Sequence, residues 1–129
     1  MPVFAQSPAD VIQVFSAALH DGRVEDALAL YEPDAVFVPG PGTPVITGRE
    51  HIRHALQNLA ALRPQLAANI RNVIVAGDVA TVVNNWRMSG SAPDGTPVSM
   101  SGTSADVMRH RPDGTWGILI DDPWAMPAT

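Results

Sequence analysis

The sequence contains no cysteine, so disulfides, thiolate metal sites and thiol nucleophiles are all excluded. Basic residues are also scarce: eight Lys and Arg stand against thirteen Asp and Glu, for a formal net charge of -5. The basic residues are scattered along the chain. Because affinity for phosphate backbones comes mostly from Lys and Arg, we expect no nucleic-acid partner.

Long apolar runs are missing as well. No run approaches the ~18 residues that a membrane span needs, and Met1–Pro8 lacks the basic stretch and apolar core of a secretory signal. We therefore expect a cytoplasmic protein with no membrane partner. The 129 residues suit a single domain, and a hydrophobic content of 46% supplies apolar material for a core. The prediction is one domain over residues 1–129.

The first half of the chain has helical periodicity. Ser7 is placed to cap a helix, with Pro8 at the first helical position and Asp10 in the first turn. Asp21-Gly22 ends this helix. Apolar residues at spacings of three and four predict its buried stripe: Val11, Val14, Phe15, Ala18 and Leu19.

Two further helices are predicted. The second runs from Val24 to Tyr31 and is broken by Pro33-Asp34, after which residues 35–38 form a short strand. The third begins with a capping box, Thr47 as N-cap and Glu50 three residues later, and ends at Pro64.

The second half is rich in β-strand patterns. Good turn sequences separate four segments. Helices followed by a meander of long strands predict an α+β domain, with three N-terminal helices packed on a curved, mainly antiparallel sheet. The four segments are 66–76, 79–89, 97–110 and 115–121.

Five short stretches of sequence occur in a characteristic order along the chain: Ala18–Gly22, Leu30–Val36, Ile46–Ile52, Asp113–Trp116 and Ile120–Trp124. This ordered set resembles the NTF2-like superfamily, and its SnoaL-like and DUF4440-type members in particular. The resemblance implies a cone-shaped α+β fold with a pocket between the helices and the concave side of the sheet. It also implies a homodimer through the convex side.

Asp106 is an unusual residue for a strand interior. Asp106 to Arg109 resembles the stretch of ketosteroid isomerases that holds an aspartic acid donating a hydrogen bond to the enolate. Residues two apart share a face of a strand, so Asp106 goes with Ser104 and Met108. If Met108 points at the helices, Asp106 points into the pocket, and burial raises its pKa. The alternative is a solvated carboxylate near a strand end, or one paired with an Arg.

Two other elements of the isomerase are absent. The resemblance places its general base at the position of Pro39 and its phenol donor at the position of Phe15. Steroid isomerisation by that mechanism is therefore not expected.

Asp121 is the second candidate acid. The resemblance favours Asp121 over Asp122 as the inward residue, and alignment across the preceding turn brings it towards Asp106. Two close carboxyls share a proton and split their pKa values. Arg87 could then complete an Asp-Arg-Asp set resembling that of epoxide hydrolase members, although residue 104, where those members carry the Arg, is Ser. The alternative is a pair of strand-end carboxylates bonded to turn amides and Arg side chains.

The strand over residues 79–89 leaves two assignments open. One face carries Val82, Asn84, Trp86 and Met88, and the other carries Val83, Asn85 and Arg87. Both faces mix polar and apolar residues, so the pattern alone does not choose between them. Matching the isomerase strands favours Asn85 and Arg87 as the inward residues.

The leading functional hypothesis is a small-molecule-binding protein with an apolar pocket for an apolar or aromatic ligand. If it is an enzyme, we expect an isomerase, dehydratase, cyclase or hydrolase that needs no cofactor. The alternative is a non-catalytic binding or association module. His51 and His54 lack a third ligand nearby, so no metal is expected. Asp106 and Asp121 are the candidate catalytic residues, and the candidate ligand contacts are Phe15, Tyr31, Phe37, Asn85, Trp86, Arg87, Met108 and Leu119.

Overall fold

The computed structural model describes residues 4–126, so the first three residues of the Met1–Pro8 segment lie outside the description. Helices come first and long strands follow. The helices are α1 (Pro8–His20), α2 (Val24–Leu28) and α3 (Arg49–Ala60), and the strands are β1 (Tyr31–Phe37), β2 (Ile46–Thr47), β3 (Gln65–Ala76), β4 (Val79–Ser91), β5 (Pro97–His110) and β6 (Trp116–Asp121).

The six strands form one sheet in the order β2-β1-β6-β5-β4-β3. Only β1 and β6 run parallel, while every other neighbouring pair is antiparallel. The three helices pack on one face of this curved, open sheet. The prediction of an α+β fold with helices on a mainly antiparallel sheet is therefore confirmed.

Helix α1 begins as predicted. The Ser7 hydroxyl accepts a hydrogen bond from the backbone N–H of Asp10, and Pro8 occupies the first turn. Four of the five predicted stripe residues are buried, and Phe15 is half-buried. Between residues 4 and 126, no helix has both the length and the apolar character that crossing a membrane requires.

Helix α2 is shorter than predicted. It ends at Leu28, and Tyr31 instead opens β1, where it pairs with Ile118 of β6. Pro33 and Asp34 do not break a helix but lie within the strand. The parallel pairing is irregular between Tyr31 and Val36, so the missing N–H of proline interrupts no ladder hydrogen bond there.

The predicted capping box of α3 is wrong. Thr47 lies in β2, where it pairs with Val36 of β1. The N-cap is Gly48, which has no side chain that could cap the helix. Its φ of 89° lies in the region that favours glycine. Glu50 pairs with Arg53 instead of the cap. The helix ends at Ala60, before the predicted stop at Pro64.

Arg111 ties the β5–β6 hairpin to the start of β1. Its Nε donates to Oε2 of the buried Glu32 at 2.7 Å, and its Nη2 donates to the carbonyl oxygens of Ala29 and Leu30 at 2.9 Å each. Gly117 makes room for this side chain, because a Cβ there would lie 2.5 Å from Nη2. The hairpin is thereby held against the helical layer.

Candidate functional site

A cavity of about 190 Å³ lies between the helices and the inner face of the sheet. Its walls come from α1, from α3 at Leu59, from the inner-facing residues of the strands and from the segment after β6. Most of these side chains are apolar, so polar groups are confined to a few positions. The large side chains among them are Phe15, Phe37, Trp86, Met88, Met108 and Trp124.

Asp106 and Asp121 both line this cavity and lie against each other. In the antiparallel β5–β6 ladder, Val107 lies opposite Ile120, and Asp106 and Asp121 are the next residues of the two strands. The two carboxyl groups are close enough to influence each other's pKa, and the backbone N–H of Asp122 donates to Oδ1 of Asp106 at 3.0 Å. Asp106 is only 5% exposed. The structure therefore brings both candidate acids together, and Asp121 is the inward one.

Tyr31 lies behind the acid pair and is not part of the cavity wall. Its hydroxyl donates to Oδ2 of Asp121 at 2.5 Å, and the residue is 2% exposed. Its ring makes edge contacts with Phe15 and Phe37, at centroid distances of 6.2 and 6.3 Å. The expectation that Tyr31 contacts a ligand is corrected, since this phenol contacts Asp121 instead.

Burial sets the protonation of the pair. It raises the pKa of Asp121 to about 6, although the hydrogen bonds from Tyr31 and Asp106 counteract part of the effect. Burial and the neighbouring charge of Asp121 raise the pKa of Asp106 well above its usual range. Burial, followed by the negative charge of Asp121, likewise raises the pKa of Tyr31. The pair therefore shares a proton near neutral pH.

A β-bulge in β6 sets the inward orientation of Asp121. Between the pairs Val107–Ile120 and Met108–Ile118, β5 advances by one residue and β6 by two, which leaves Leu119 as the extra residue. Strict alternation groups Asp121 with Leu119, but the bulge puts Asp121 on the same face as Ile118. Leu119 does not line the cavity, so its assignment as a ligand contact is corrected.

Strand β4 presents Asn84, Trp86 and Met88 to the cavity. Asn85 and Arg87 lie on the opposite face, where Oδ1 of Asn85 accepts a hydrogen bond from the Thr103 hydroxyl. The inward orientation favoured by the isomerase match is therefore corrected for both residues. Because Arg87 is separated from the acid pair by the sheet, the Asp-Arg-Asp set does not form.

Asn84 and Trp124 are among the cavity residues that the sequence reasoning did not propose as ligand contacts. Asn84, which is 4% exposed, accepts a hydrogen bond from the Asn69 N–H through its Oδ1. Its place two residues from Trp86 on the same strand face was the available signal. Trp124 follows β6 and has no strand periodicity to orient it.

The segment after β6 closes one side of the cavity. Trp86 donates from Nε1 to the carbonyl oxygen of Pro123 at 2.8 Å, and its ring meets that of Trp124 edge-on at 5.0 Å. The backbone of Met126 pairs with that of Thr103. These bonds hold the aromatic wall in place.

The positions matched to the isomerase base and phenol, Pro39 and Phe15, both line the cavity and supply no polar side-chain group. Among residues 4–126 there is no cluster of three His, Cys, Asp or Glu of the kind that holds a metal ion. The ring of His51 instead lies 3.0 Å from the carbonyl oxygen of Thr47. The titratable side chains at this site are those of Asp106 and Asp121, with Tyr31 hydrogen-bonded to Asp121.

The sequence profile of the SnoaL-like domain matches residues 11–116, which include the cavity-lining positions of α1 and β5. The chain belongs to the SnoaL-like family. Solved structures that are named NTF2-like have the same fold, whereas the DUF4440-type resemblance stays a prediction. No curated protein matches the chain.

Solved structures similar to this SnoaL-like chain share its fold at low identity. A candidate calcium/calmodulin dependent protein kinase II association domain from Xanthomonas campestris is 23% identical, with a TM-score of 0.78 over 94% of this chain and 86% of its own. An NTF2-like superfamily protein from Salmonella enterica is 16% identical (TM-score 0.78; 93% and 88%). A ketosteroid isomerase-like protein from Erwinia carotovora is 17% identical (TM-score 0.74; 88% of each). Identities this low establish the fold alone.

Proposed function

We propose that this SnoaL-like protein binds a small, mostly apolar molecule in the cavity and holds its polar group at Asp106 and Asp121. The observation that carries the proposal is the position of two neighbouring carboxyl groups, Asp106 and Asp121, in the wall of a mostly apolar cavity. A few convergent polar groups in an apolar pocket with perturbed pKa values are typical of ligand sites.

The cavity volume limits the size of the enclosed ligand. At about 190 Å³ it exceeds the ~150 Å³ that accepts benzene, but it is smaller than the ~300–1,000 Å³ of sites for drug-sized molecules. A molecule of about one ring fits inside. A larger ligand has to leave part of its surface outside the cavity.

If the bound molecule reacts, proton transfer is the chemistry that these residues supply. A carboxylate whose pKa is about 6 is a competent base near neutral pH, and Asp121 has that value. Asp106 retains its proton and serves as the acid. Isomerisation, dehydration, cyclisation and hydrolysis can each proceed by such transfers without a cofactor.

The binding proposal is tested by the indole N–H resonances of the three tryptophans. Trp86 and Trp124 line the cavity, while Trp116 stacks on His110 outside it. Titration with a one-ring probe such as cyclohexanol should shift the resonances of Trp86 and Trp124 and leave that of Trp116 unchanged. If a panel of one-ring apolar probes moves none of them, or moves all three equally, the proposal fails.

A second candidate function, self-association, rests on a row of residues across the outer sheet face. Direct strand pairing aligns Ile74 of β3 with Thr81, then Val107, Ile120 and finally Val36 of β1. Four of these five side chains are aliphatic, and Ile74 is 61% exposed. An exposed apolar patch on a sheet face favours contact with a second copy. The candidate association domain from Xanthomonas campestris has the same fold.

Sedimentation tests the association proposal. Wild-type protein should sediment as a dimer, and Ile74→Glu should shift it to monomer because a charge would be buried at the interface. Val45→Glu is the matched control, since Val45 is also an exposed aliphatic residue, at 56%, and is not one of the five residues of the row. A wild-type monomer at every concentration would exclude the dimer.

A further inference from the structure

The hydrogen bonds already made at the acid pair restrict what a ligand can offer there. Tyr31 donates its only hydroxyl proton to Asp121, so this phenol is not available as a donor to the cavity. Oδ1 of Asp106 accepts from the Asp122 N–H. The remaining carboxyl lone pairs of the two acids are acceptors at the cavity wall. A ligand that donates at this end satisfies them.

The negative charge of the pair also favours a ligand that donates a hydrogen bond, and a cation in particular. Two carboxyls that share one proton carry about one negative charge. Among the cavity-lining residues within 4–126 there is no Lys, Arg or His. A buried charge without a counter-ion is costly, so a cation that enters the cavity offsets this cost.

The remaining wall suits the hydrocarbon part of a ligand. Aromatic rings of Phe15, Phe37, Trp86 and Trp124 line the cavity and offer it large apolar surfaces. The side-chain Nδ2 of Asn84 donates no hydrogen bond to any residue between 4 and 126, although this residue is 4% exposed and lines the cavity. It is a free donor for an acceptor elsewhere on the same ligand.

We propose that the cavity is selective for a small apolar amine in its protonated form, whose ammonium group donates to Asp121 while its hydrocarbon part lies among the aromatic rings. This inference rests on the proposed function, because it specifies the ligand class for that cavity. An amine of about one ring fits the available volume of about 190 Å³.

Binding of the amine should depend on the ionisation of Asp121. The titratable groups that face this carboxyl are Tyr31 of β1, Asp106 of β5 and the adjacent Asp122, while α1 contributes the apolar Phe15. Burial raises the pKa of Asp121 to about 6. Amine binding should therefore strengthen as the pH rises through this value.

Three ligands with the same ring separate the possibilities: cyclohexylamine, cyclohexanol and cyclohexanone. At pH 7.5, calorimetry should rank the amine about tenfold tighter than the alcohol, because its hydrogen bond is charge-assisted. The ketone, which can only accept, should bind weakest. Amine affinity should fall between pH 8 and pH 5, while alcohol affinity should stay constant. Asp121→Asn should abolish the preference for the amine over the alcohol.

The outcomes that contradict this inference differ from those that contradict the proposed function. If cyclohexanone or cyclohexanol binds as tightly as cyclohexylamine and shifts the Trp86 resonance, the cavity binds small molecules but is not amine-selective. If none of the three shifts that resonance, the binding function itself is wrong. Both tests use wild-type protein, so they do not depend on how Asp121→Asn folds.

Discussion

The hydroxyl of Tyr31 donates a 2.5 Å hydrogen bond to Oδ2 of Asp121, joining the first residue of β1 to the last residue of β6. This contact spans the one parallel strand pair within residues 4–126. The Tyr31 hydroxyl contacts Asp121 from the side away from the cavity wall, so the other lone pairs of the Asp121 carboxyl are available to the cavity. The acid pair is consequently held by side chains and backbone groups of three strands and the segment that follows them.

Tyr31→Phe tests this contact. The hydrogen bond from Tyr31 holds the pKa of Asp121 down against the effect of burial, so its loss should raise that pKa above about 6. The free energy of unfolding should fall by about 1–3 kcal/mol because a buried acceptor loses its donor. Carboxyl-carbon NMR measures the titration. Asp113, whose pKa is lowered by a hydrogen bond from Thr115, is the internal control and should not shift.

The pH dependence of stability tests the burial of the acid pair. Raised carboxyl pKa values mean that the folded state binds more protons than the unfolded state between about pH 4 and the folded pKa. The stability associated with the pair is therefore fully present below the unfolded pKa and is lost as the pH rises. For Asp121 alone, the rise of its pKa to about 6 corresponds to a loss of about 3 kcal/mol in the free energy of unfolding across this pH range.

Asp106→Asn/Asp121→Asn isolates that contribution. Urea unfolding at pH 4 and pH 7.5 should show a larger loss of stability for the wild type than for the double variant. Carboxylates with lowered pKa values, such as Asp34 and Asp94, act in the opposite direction but equally in both proteins. Equal pH dependence in the two proteins would mean that the pair is solvated.

The side-chain amides of Asn84 and Asn85 form a matched pair of probes for the cavity. They are sequence neighbours on β4, but only Asn84 lines the cavity. A bound one-ring ligand should shift the Asn84 side-chain N–H resonances and leave those of Asn85 unchanged. The reverse result would restore the orientation that the isomerase match favours.

Gly117→Ala tests whether Arg111 holds the β5–β6 hairpin against the start of β1. The added Cβ would displace the Arg111 guanidinium and break its hydrogen bonds to Glu32 and to backbone carbonyls, so we expect a loss of about 2 kcal/mol or more. The same change in an Arg111→Ala background should cost much less. Gly40→Ala is the control, because its nearest contact is a movable Thr43 side chain at 3.3 Å. Equal costs in the two Arg111 backgrounds would contradict the packing role.

The sequence predicted elements that depend on local patterns. The cap at Ser7, the stripe of α1 and the bounds of β5 could be read from turn chemistry and periodicity. Tertiary pairing overrode local signals elsewhere: Tyr31 left the predicted helix to pair with β6, and Thr47 joined a strand and did not cap α3.

The site was predictable only in part, for the same reason. Asp106 was placed by its strand face, and Asp121 by the family resemblance and the hairpin register. The bulge at Leu119 has no local sequence signature and reverses the alternation. The face of β4 that carries Asn84 could not be chosen from a pattern that mixes polar and apolar residues on both sides. The side of the sheet on which the helices pack determines that the face with Asn84 is the inward one.

Carboxyl-carbon NMR titration of Asp106 and Asp121 tests the central claim, an enclosed acid pair facing the cavity, most directly. We expect the Asp121 carboxyl to titrate near pH 6 and the Asp106 carboxyl well above the usual range, with each titration visible in the chemical shift of the other. Two independent transitions near the ordinary value of ~3.9 would contradict the claim.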